Sequence, residues 1–224
     1  MERSITMLKG IIFDLDGVLT DTAKYHYLAW KKLADELNYY FDEDINELLK
    51  GVSRINSFEI ILNKNNASDK FTAEEKENLA NKKNEYYKEM IEQLTKDDIL
   101  EGIVPFITEA RANGVKCAVA SISKNAYRVL ELLGIMDMFD YIADAALVKN
   151  PKPDPEIFFT CANALGFKPN ECVGVEDAQA GIESIHSAGM MSVGINVNVT
   201  SIQPDIALKS TAELKYNNIV DSMK

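Results

Sequence analysis

The chain has 224 residues and carries 24 Lys and Arg against 35 Asp and Glu, a formal net charge of −11. That balance argues against nucleic acid or an anionic membrane as a partner. No run reaches the roughly 18 apolar residues of a membrane span, and the N-terminus lacks a signal-peptide core, so the cytoplasm is the expected compartment; a monomer is expected.

The first strand signal is Gly10-Ile11-Ile12, a β-branched run of the kind found in buried parallel strands. Residues 1–6 precede it and read as a ragged lead, with Met7 able to serve as a start. Asp14 and Asp16 stand two apart at its C-terminal end, where open α/β sheets place their ligands. From Thr22 to about Gln93 the pattern is helical throughout. Ala23, Tyr27, Trp30, Leu33, Ala34 and Leu37 mark one buried stripe, and Ile55, Phe58, Ile61 and Leu62 another. A polar loop at Asn63–Lys70, expected to be mobile, leads to a charged helix from about Thr72 carrying Leu79, Tyr86, Met90 and Ile91.

From Gly102 onward helix and strand alternate: helix to Asn113, strand Val115–Ala120, helix from Lys124, helix from Pro155, strand to Val175, helix from Ala178 and strand Met191–Ile195. Such alternation argues for a parallel sheet with right-handed crossovers. An all-helical block after the first strand of an α/β pattern reads as an inserted domain. The division expected is therefore 1–21 with 94–224 as an α/β core and 22–93 as a helical cap. Cys117, Cys161 and Cys172 lie in apolar or helical patterns and read as buried thiols of a reducing compartment. His186 has no chemical neighbours in sequence and reads as structural; Asn196–Pro204 carries no recognisable pattern.

Three further segments repeat the scheme of Asp14 and Asp16, each at a strand-to-loop junction. Ser121-Ile122-Ser123-Lys124-Asn125 offers hydroxyls and free N–H groups, a natural phosphate cradle. Lys152 sits in the stiff loop Lys149-Asn150-Pro151-Lys152-Pro153-Asp154-Pro155, and Glu176-Asp177 closes the strand Cys172–Val175. Taken singly, Ser121 is a helix cap and Lys152 a solvated loop charge. Four in order point to one site.

In these motifs, Asp14-x-Asp16, Ser121, Lys152 and Glu176-Asp177, the chain resembles the haloacid dehalogenase superfamily of phosphotransferases over nearly its whole length. Within it, the chain is most similar to the β-phosphoglucomutase family, in Thr20-Asp21-Thr22 with His26 and Trp30, in Leu49-Lys50-Gly51-Val52-Ser53-Arg54 with Ser57, and in Lys82-Lys83-Asn84. The resemblance implies a Rossmann-like parallel-sheet α/β core with an inserted all-helical cap. It further implies Asp14 as nucleophile forming an aspartyl-phosphate, Asp16 as general acid and base, and Ser121 and Lys152 holding the transferring phosphoryl group. Mg²⁺ is the implied cofactor, on Asp14, the Asp16 carbonyl, Asp177 and, through water, Glu176.

Substrate contacts are implied for Thr22, His26, Trp30, Lys50, Gly51, Val52, Arg54, Ser57, Lys83, Ile122, Ser123, Lys124 and Asn125. Ser53 is suited to cap a helix, which places Arg54 and Ser57 in its first turn as an anion grip. Lys83 alone would read as a solvated helix face. Two positions depart from the family pattern: Ile122 stands where a smaller residue is usual, and Ala178 where serine is common. The expected reaction interconverts β-D-glucose 1-phosphate and glucose 6-phosphate through β-D-glucose 1,6-bisphosphate, the partners being small sugar phosphates. The alternative is a sugar-phosphate phosphatase of the same fold. A catalytically idle relative is disfavoured because every catalytic position is filled by a competent residue.

Overall fold

The computed structural model describes residues 7–49 and 52–223. In chain order, β1 (Gly10–Phe13) is followed by α1 (Ala23–Glu36), α2 (Glu43–Glu47), α3 (Arg54–Lys64) and α4 (Ala73–Ile91). Then come α5 (Ile103–Ala112), β2 (Lys116–Val119), α6 (Ala126–Leu133), β3 (Tyr141–Ile142) and α7 (Glu156–Leu165). The chain closes with β4 (Cys172–Glu176), α8 (Gln179–Ser187), β5 (Met191–Ile195), β6 (Ile206–Leu208) and α9 (Tyr216–Ser222). It divides into two compact units, residues 22–94 and the remainder.

The larger unit is built on one six-stranded sheet in the order β3-β2-β1-β4-β5-β6, with every described pairing parallel. β1 and β4 are buried along their whole length, which accounts for their unbroken apolar character. Side chains alternate between the two faces. Ile12 joins Ile157, Phe158, Cys161, Ile182 and Ile185 of α7 and α8, whereas Phe13 meets Phe106 of α5 edge-on at 6.1 Å. Each such fully buried side chain contributes about 1.5–3 kcal/mol. β1 is the first strand, and the order reverses beside it. The carboxyl ends of β1 and β4 therefore flank the topological switch point, where doubly wound sheets bind ligands.

Two strands escape a reading by pattern. β3 has only two residues, and β6 is a short, partly exposed edge. The segment after β5 is strapped onto α8: Thr200 N–H donates to Gln179 Oε1 at 3.0 Å and Gln179 Nε2 to the Ile202 carbonyl at 3.2 Å. His186 does hold structure, its Nε2 lying 2.7 Å from Ser192 Oγ and 3.1 Å from Asp205 Oδ2. All three cysteines are buried free thiols, and burial pushes each up to about 12.

In the helical unit, Trp30, Leu33, Phe41, Ile45, Phe58, Ile61, Leu62 and Ala80 form one core. Thr72 and Glu75 make a reciprocal capping box that starts α4. The expected stripe of α3 is narrower than its spacing suggested, since Ile55 is 40% exposed while Phe58 is 1%. The polar loop after α3 is held rather than loose. Asn65 Nδ2 donates to the carbonyls of Ile61 and Tyr40, Tyr40 N–H donates back to Asn65 Oδ1, and Ala67 is buried.

Candidate active site

Parallel register brings the motif residues of the larger unit to one edge. Phe13 pairs with Val119 on one side and Val175 on the other. Asp14 therefore leaves β1 where Ser121 leaves β2 and Glu176 ends β4. The Asp14 N–H extends the ladder to the Val175 carbonyl at 2.9 Å. Beyond it the chain turns at Gly17, whose N–H reaches the Thr20 carbonyl at 2.8 Å. Gly17 has φ +78, and a Cβ there would lie 2.1 Å from Asp177 Oδ2. Only glycine fits both the left-handed backbone and the carboxylate against it.

Ligand oxygens of Asp14, Glu176 and Asp177 all lie within 4.8 Å of one another. Lys152 Nζ bridges two of these residues, 2.5 Å from Asp14 Oδ1 and 2.7 Å from Glu176 Oε2, with all three side chains deeply buried. Glu176 Oε1 also accepts the N–H groups of Asp177 and Ala178 at 3.1 and 3.2 Å. Burial, then the Glu176 charge, push Asp14 up to about 7 against the pull of Lys152. Burial, then Glu176 and Asp14, push Asp177 up to about 9. Burial alone would depress Lys152, but the Asp14 and Glu176 charges overcome it and raise its pKa. Asp16 adds further repulsion to both raised carboxyls. One ammonium thus faces an excess of carboxylates, and the cluster is short of positive charge. Oxygen donors at this spacing can hold a divalent cation.

Ser121 is buried, and its Oγ accepts the Ser123 N–H at 3.1 Å, while Ser123 Oγ accepts the Asn125 N–H at 3.3 Å. The two hydroxyls shape the turn that starts α6. Ile122 packs against the core cluster, Asn125 is buried and Lys124 is exposed. The Lys152 loop is clasped by Glu156, whose carboxylate accepts the Lys149 and Asn150 N–H groups at 2.9 Å each. Ser184 Oγ donates to the Asp154 carbonyl at 2.6 Å. Spacing gave no hint of this clasp, because Glu156 reads as an ordinary first-turn acid.

The helical unit gathers a second group. Lys83, which alone would read as a solvated helix face, is only 3% exposed. Its Nζ lies 2.8 Å from His26 Nδ1 and 4.9 Å from the Trp30 ring centroid. An ammonium can only donate, so Nδ1 accepts and the ring proton sits on Nε2. Burial, Lys83 and Arg54 together hold His26 well below its usual range, leaving it neutral. Its ring stacks on Tyr87 at 4.0 Å, and the Tyr87 hydroxyl donates to Thr22 Oγ1 at 3.1 Å. Tyr87 was missed by sequence reasoning, although it lies one turn beyond Lys83 on α4. Trp30 stacks on Phe58 inside this unit's core, so its ring backs Lys83.

Ser53 caps α3, accepting the Asn56 N–H at 3.4 Å. Arg54 follows as the first helical residue and donates to Asn81 Oδ1 at 3.1 Å. Ser57 is buried, with its hydroxyl 3.5 Å from the half-buried Val52's carbonyl. Lys50 and Gly51 lie outside the described residues.

This geometry has known counterparts. Residues 8–189 match the family model described as haloacid dehalogenase-like hydrolase. The chain belongs to the haloacid dehalogenase-like family. Among its relatives, β-phosphoglucomutase of Bacillus subtilis is 43% identical over 207 residues, 92% of each chain. The crystal structure of β-phosphoglucomutase from Clostridium difficile superposes with a TM-score of 0.91 at 44% identity, covering 97% of each chain. A fructose-1-phosphate phosphatase of Escherichia coli is more distant, 30% identical over 192 residues, 84% of this chain and 96% of that one. The parallel sheet with an inserted helical unit is the family's architecture. No helix among the described residues is long and apolar enough to cross a membrane.

Proposed function

We propose that the protein is a β-phosphoglucomutase, interconverting β-D-glucose 1-phosphate and D-glucose 6-phosphate through an aspartyl-phosphate and β-D-glucose 1,6-bisphosphate. Asp14 is the nucleophile: a carboxylate oxygen attacks phosphorus and the sugar oxygen leaves. Asp16 protonates that oxygen and deprotonates the hydroxyl that later attacks the phosphoenzyme. Lys152 and Ser121 hold the phosphoryl oxygens, with the loop N–H groups of Ser123 and Asn125 nearby in sequence. Mg²⁺ fits the oxygen donors of Asp14, Glu176 and Asp177, with the Asp16 carbonyl as a further donor. When bound, it neutralises charge on the cluster and on the phosphoryl group.

The observation that carries mutase over phosphatase is the cationic group of the helical unit. A phosphatase has one phosphate to bind, but a bisphosphate intermediate must be held by one end while the other reacts. Burial, then Lys83 and Arg54, hold His26 neutral, with the Lys83 ammonium 2.8 Å from its Nδ1, so cationic charge faces a hydrogen-donating imidazole. Arg54, Lys83, His26, Thr22, Ser57 and the Lys50–Val52 segment are read as the grip on the phosphate that is not reacting. Ile122, Ser123, Lys124 and Asn125 are assigned to the reacting end. The relatives support this reading, since the Bacillus subtilis and Clostridium difficile mutases match at 43% and 44% identity and the Escherichia coli phosphatase at 30%.

The deciding experiment supplies β-glucose 1-phosphate, Mg²⁺ and a trace of the bisphosphate. A mutase accumulates glucose 6-phosphate. Stoichiometric release of inorganic phosphate instead would establish the phosphatase.

A further inference from the structure

Gly181 lies in the first turn of α8, one turn beyond the end of β4, and nothing in the reaction as described uses it. A Cβ built on it would stand 2.0 Å from both Cδ and Oε2 of Glu176 and 2.2 Å from its Cγ. Such a collision is usually relieved by swinging a flexible carboxylate aside. Here that motion is blocked. Oε2 is paired with Lys152 at 2.7 Å, Oε1 accepts two backbone N–H groups, and the residue is 2% exposed. Glu176 can yield to a side chain at 181 only by giving up these partners, or α8 must shift.

We infer that Gly181 is a positioning residue of the divalent-cation site, whose missing side chain is the space in which the Glu176 carboxylate is seated. The inference rests on the reading that Glu176 belongs to that site. Helix propensity alone gives the opposite expectation, because Gly→Ala inside a helix stabilises it by about 1 kcal/mol. A Gly181→Ala change would therefore look benign to any argument that ignores Glu176. Displacing a group that orients a metal site typically lowers metal affinity about 10–100-fold.

The test measures Mn²⁺ binding to the metal-free protein by loss of the free-ion EPR signal, with no turnover involved. The variants are Gly181→Ala, Glu176→Asp, the Gly181→Ala/Glu176→Asp double variant and Gly181→Ala/Glu176→Ala. We expect Gly181→Ala to weaken binding at least about tenfold. Glu176→Asp weakens binding in the native background. The same change on top of Gly181→Ala improves it, because the acid shorter by one methylene withdraws from the new methyl. Binding by Gly181→Ala within twofold of native, or losses that add in the double variant, would overturn the inference. If Gly181→Ala fails to fold, Gly181→Ala/Glu176→Ala must fold as well as Glu176→Ala alone. If it also fails, the backbone and not Glu176 requires glycine, and the inference falls. Absence of Mn²⁺ binding in the native protein would instead sink the metal reading itself.

Discussion

The two charged clusters, one in each unit, pose opposite electrostatic problems. At the sheet edge, one ammonium pairs with Asp14 and Glu176, Asp177 and Asp16 add further negative charge, and burial with that charge pushes the carboxyls of Asp14 and Asp177 up to about 7 and 9. In the helical unit, burial and then the Lys83 and Arg54 charges push one imidazole the other way. Like charges at about 4 Å cost roughly 4 kcal/mol per pair at an effective dielectric of 20. Negative charge therefore dominates the first cluster, while the second places cations beside a neutral ring. In the proposed function a metal ion meets the first and a phosphate of the substrate the second, so that local charge and not the net −11 governs binding.

The most severe way to break the sheet-edge cluster is Asp14→Asn. An amide cannot form the acyl phosphate, so turnover should fall by about four orders of magnitude or more, while the fold survives. Steady-state assay of mass-verified protein checks this. Activity within tenfold of native would remove Asp14 as nucleophile.

Arg54→Ala tests the helical cluster in isolation. Losing one charge-assisted contact to the remote phosphate should cost about 1.5–3 kcal/mol, roughly ten- to a hundredfold in mutase turnover. Hydrolysis of acetyl phosphate, which has no remote phosphate, should change little. Equal loss in both reactions would make Arg54 structural and weaken the case for a mutase.

How much of this was legible in the sequence differs between the clusters for a physical reason. Asp14, Ser121 and Glu176 sit at strand ends, and a parallel sheet of fixed register carries strand ends to one edge wherever they fall in the chain. Local spacing therefore revealed them. Lys152 instead comes from the loop between β3 and α7, where the sequence predicts a strand-to-loop junction. Lys83 and Tyr87 are brought to His26 by helix packing across more than fifty residues, and nothing local to Asn81-Lys82-Lys83-Asn84 distinguishes the buried lysine from the exposed one. β3, β6 and α9 were missed because elements of two, three and seven residues are too short to show a period. Glycine 181 was invisible for another reason. Its contribution is an absence, and only the position of Glu176 gives that absence a meaning.

The two clusters give pH responses of opposite sign. Asp14 and Asp177 have folded pKa values above the usual carboxylate range, so without metal the folded protein binds more protons than the unfolded chain between about pH 4 and 9. Their contribution is favourable at low pH and is lost as pH rises. The two titrate together, each contributing a slope of at most about 1.4 kcal/mol per pH unit. Thermal unfolding in excess chelator should therefore show a midpoint that declines from pH 6 to 8.5. Saturating Mg²⁺ should flatten that decline by replacing the protons with a cation. Identical profiles with and without Mg²⁺ would mean that no cation answers the carboxylate excess.

His26 predicts the reverse, with a smaller amplitude because one group carries it. Its folded pKa is depressed by burial first, then by Lys83 and Arg54, while in the unfolded chain it titrates near 6.5. Above that pH both states are neutral and folding gains or loses nothing from it. Below it the unfolded chain takes up a proton that the folded protein refuses, so stability falls as pH falls, again by at most about 1.4 kcal/mol per unit. Carboxylates elsewhere also titrate in this range, so the informative quantity is the difference between native protein and His26→Gln, both loaded with Mg²⁺. Glutamine can still accept from the Lys83 ammonium but cannot take up a proton. From pH 7.5 to 5.5 the native midpoint should fall further than that of the variant. Parallel curves would mean that the imidazole protonates freely in the folded state, and that burial beside Lys83 and Arg54 does not hold His26 neutral.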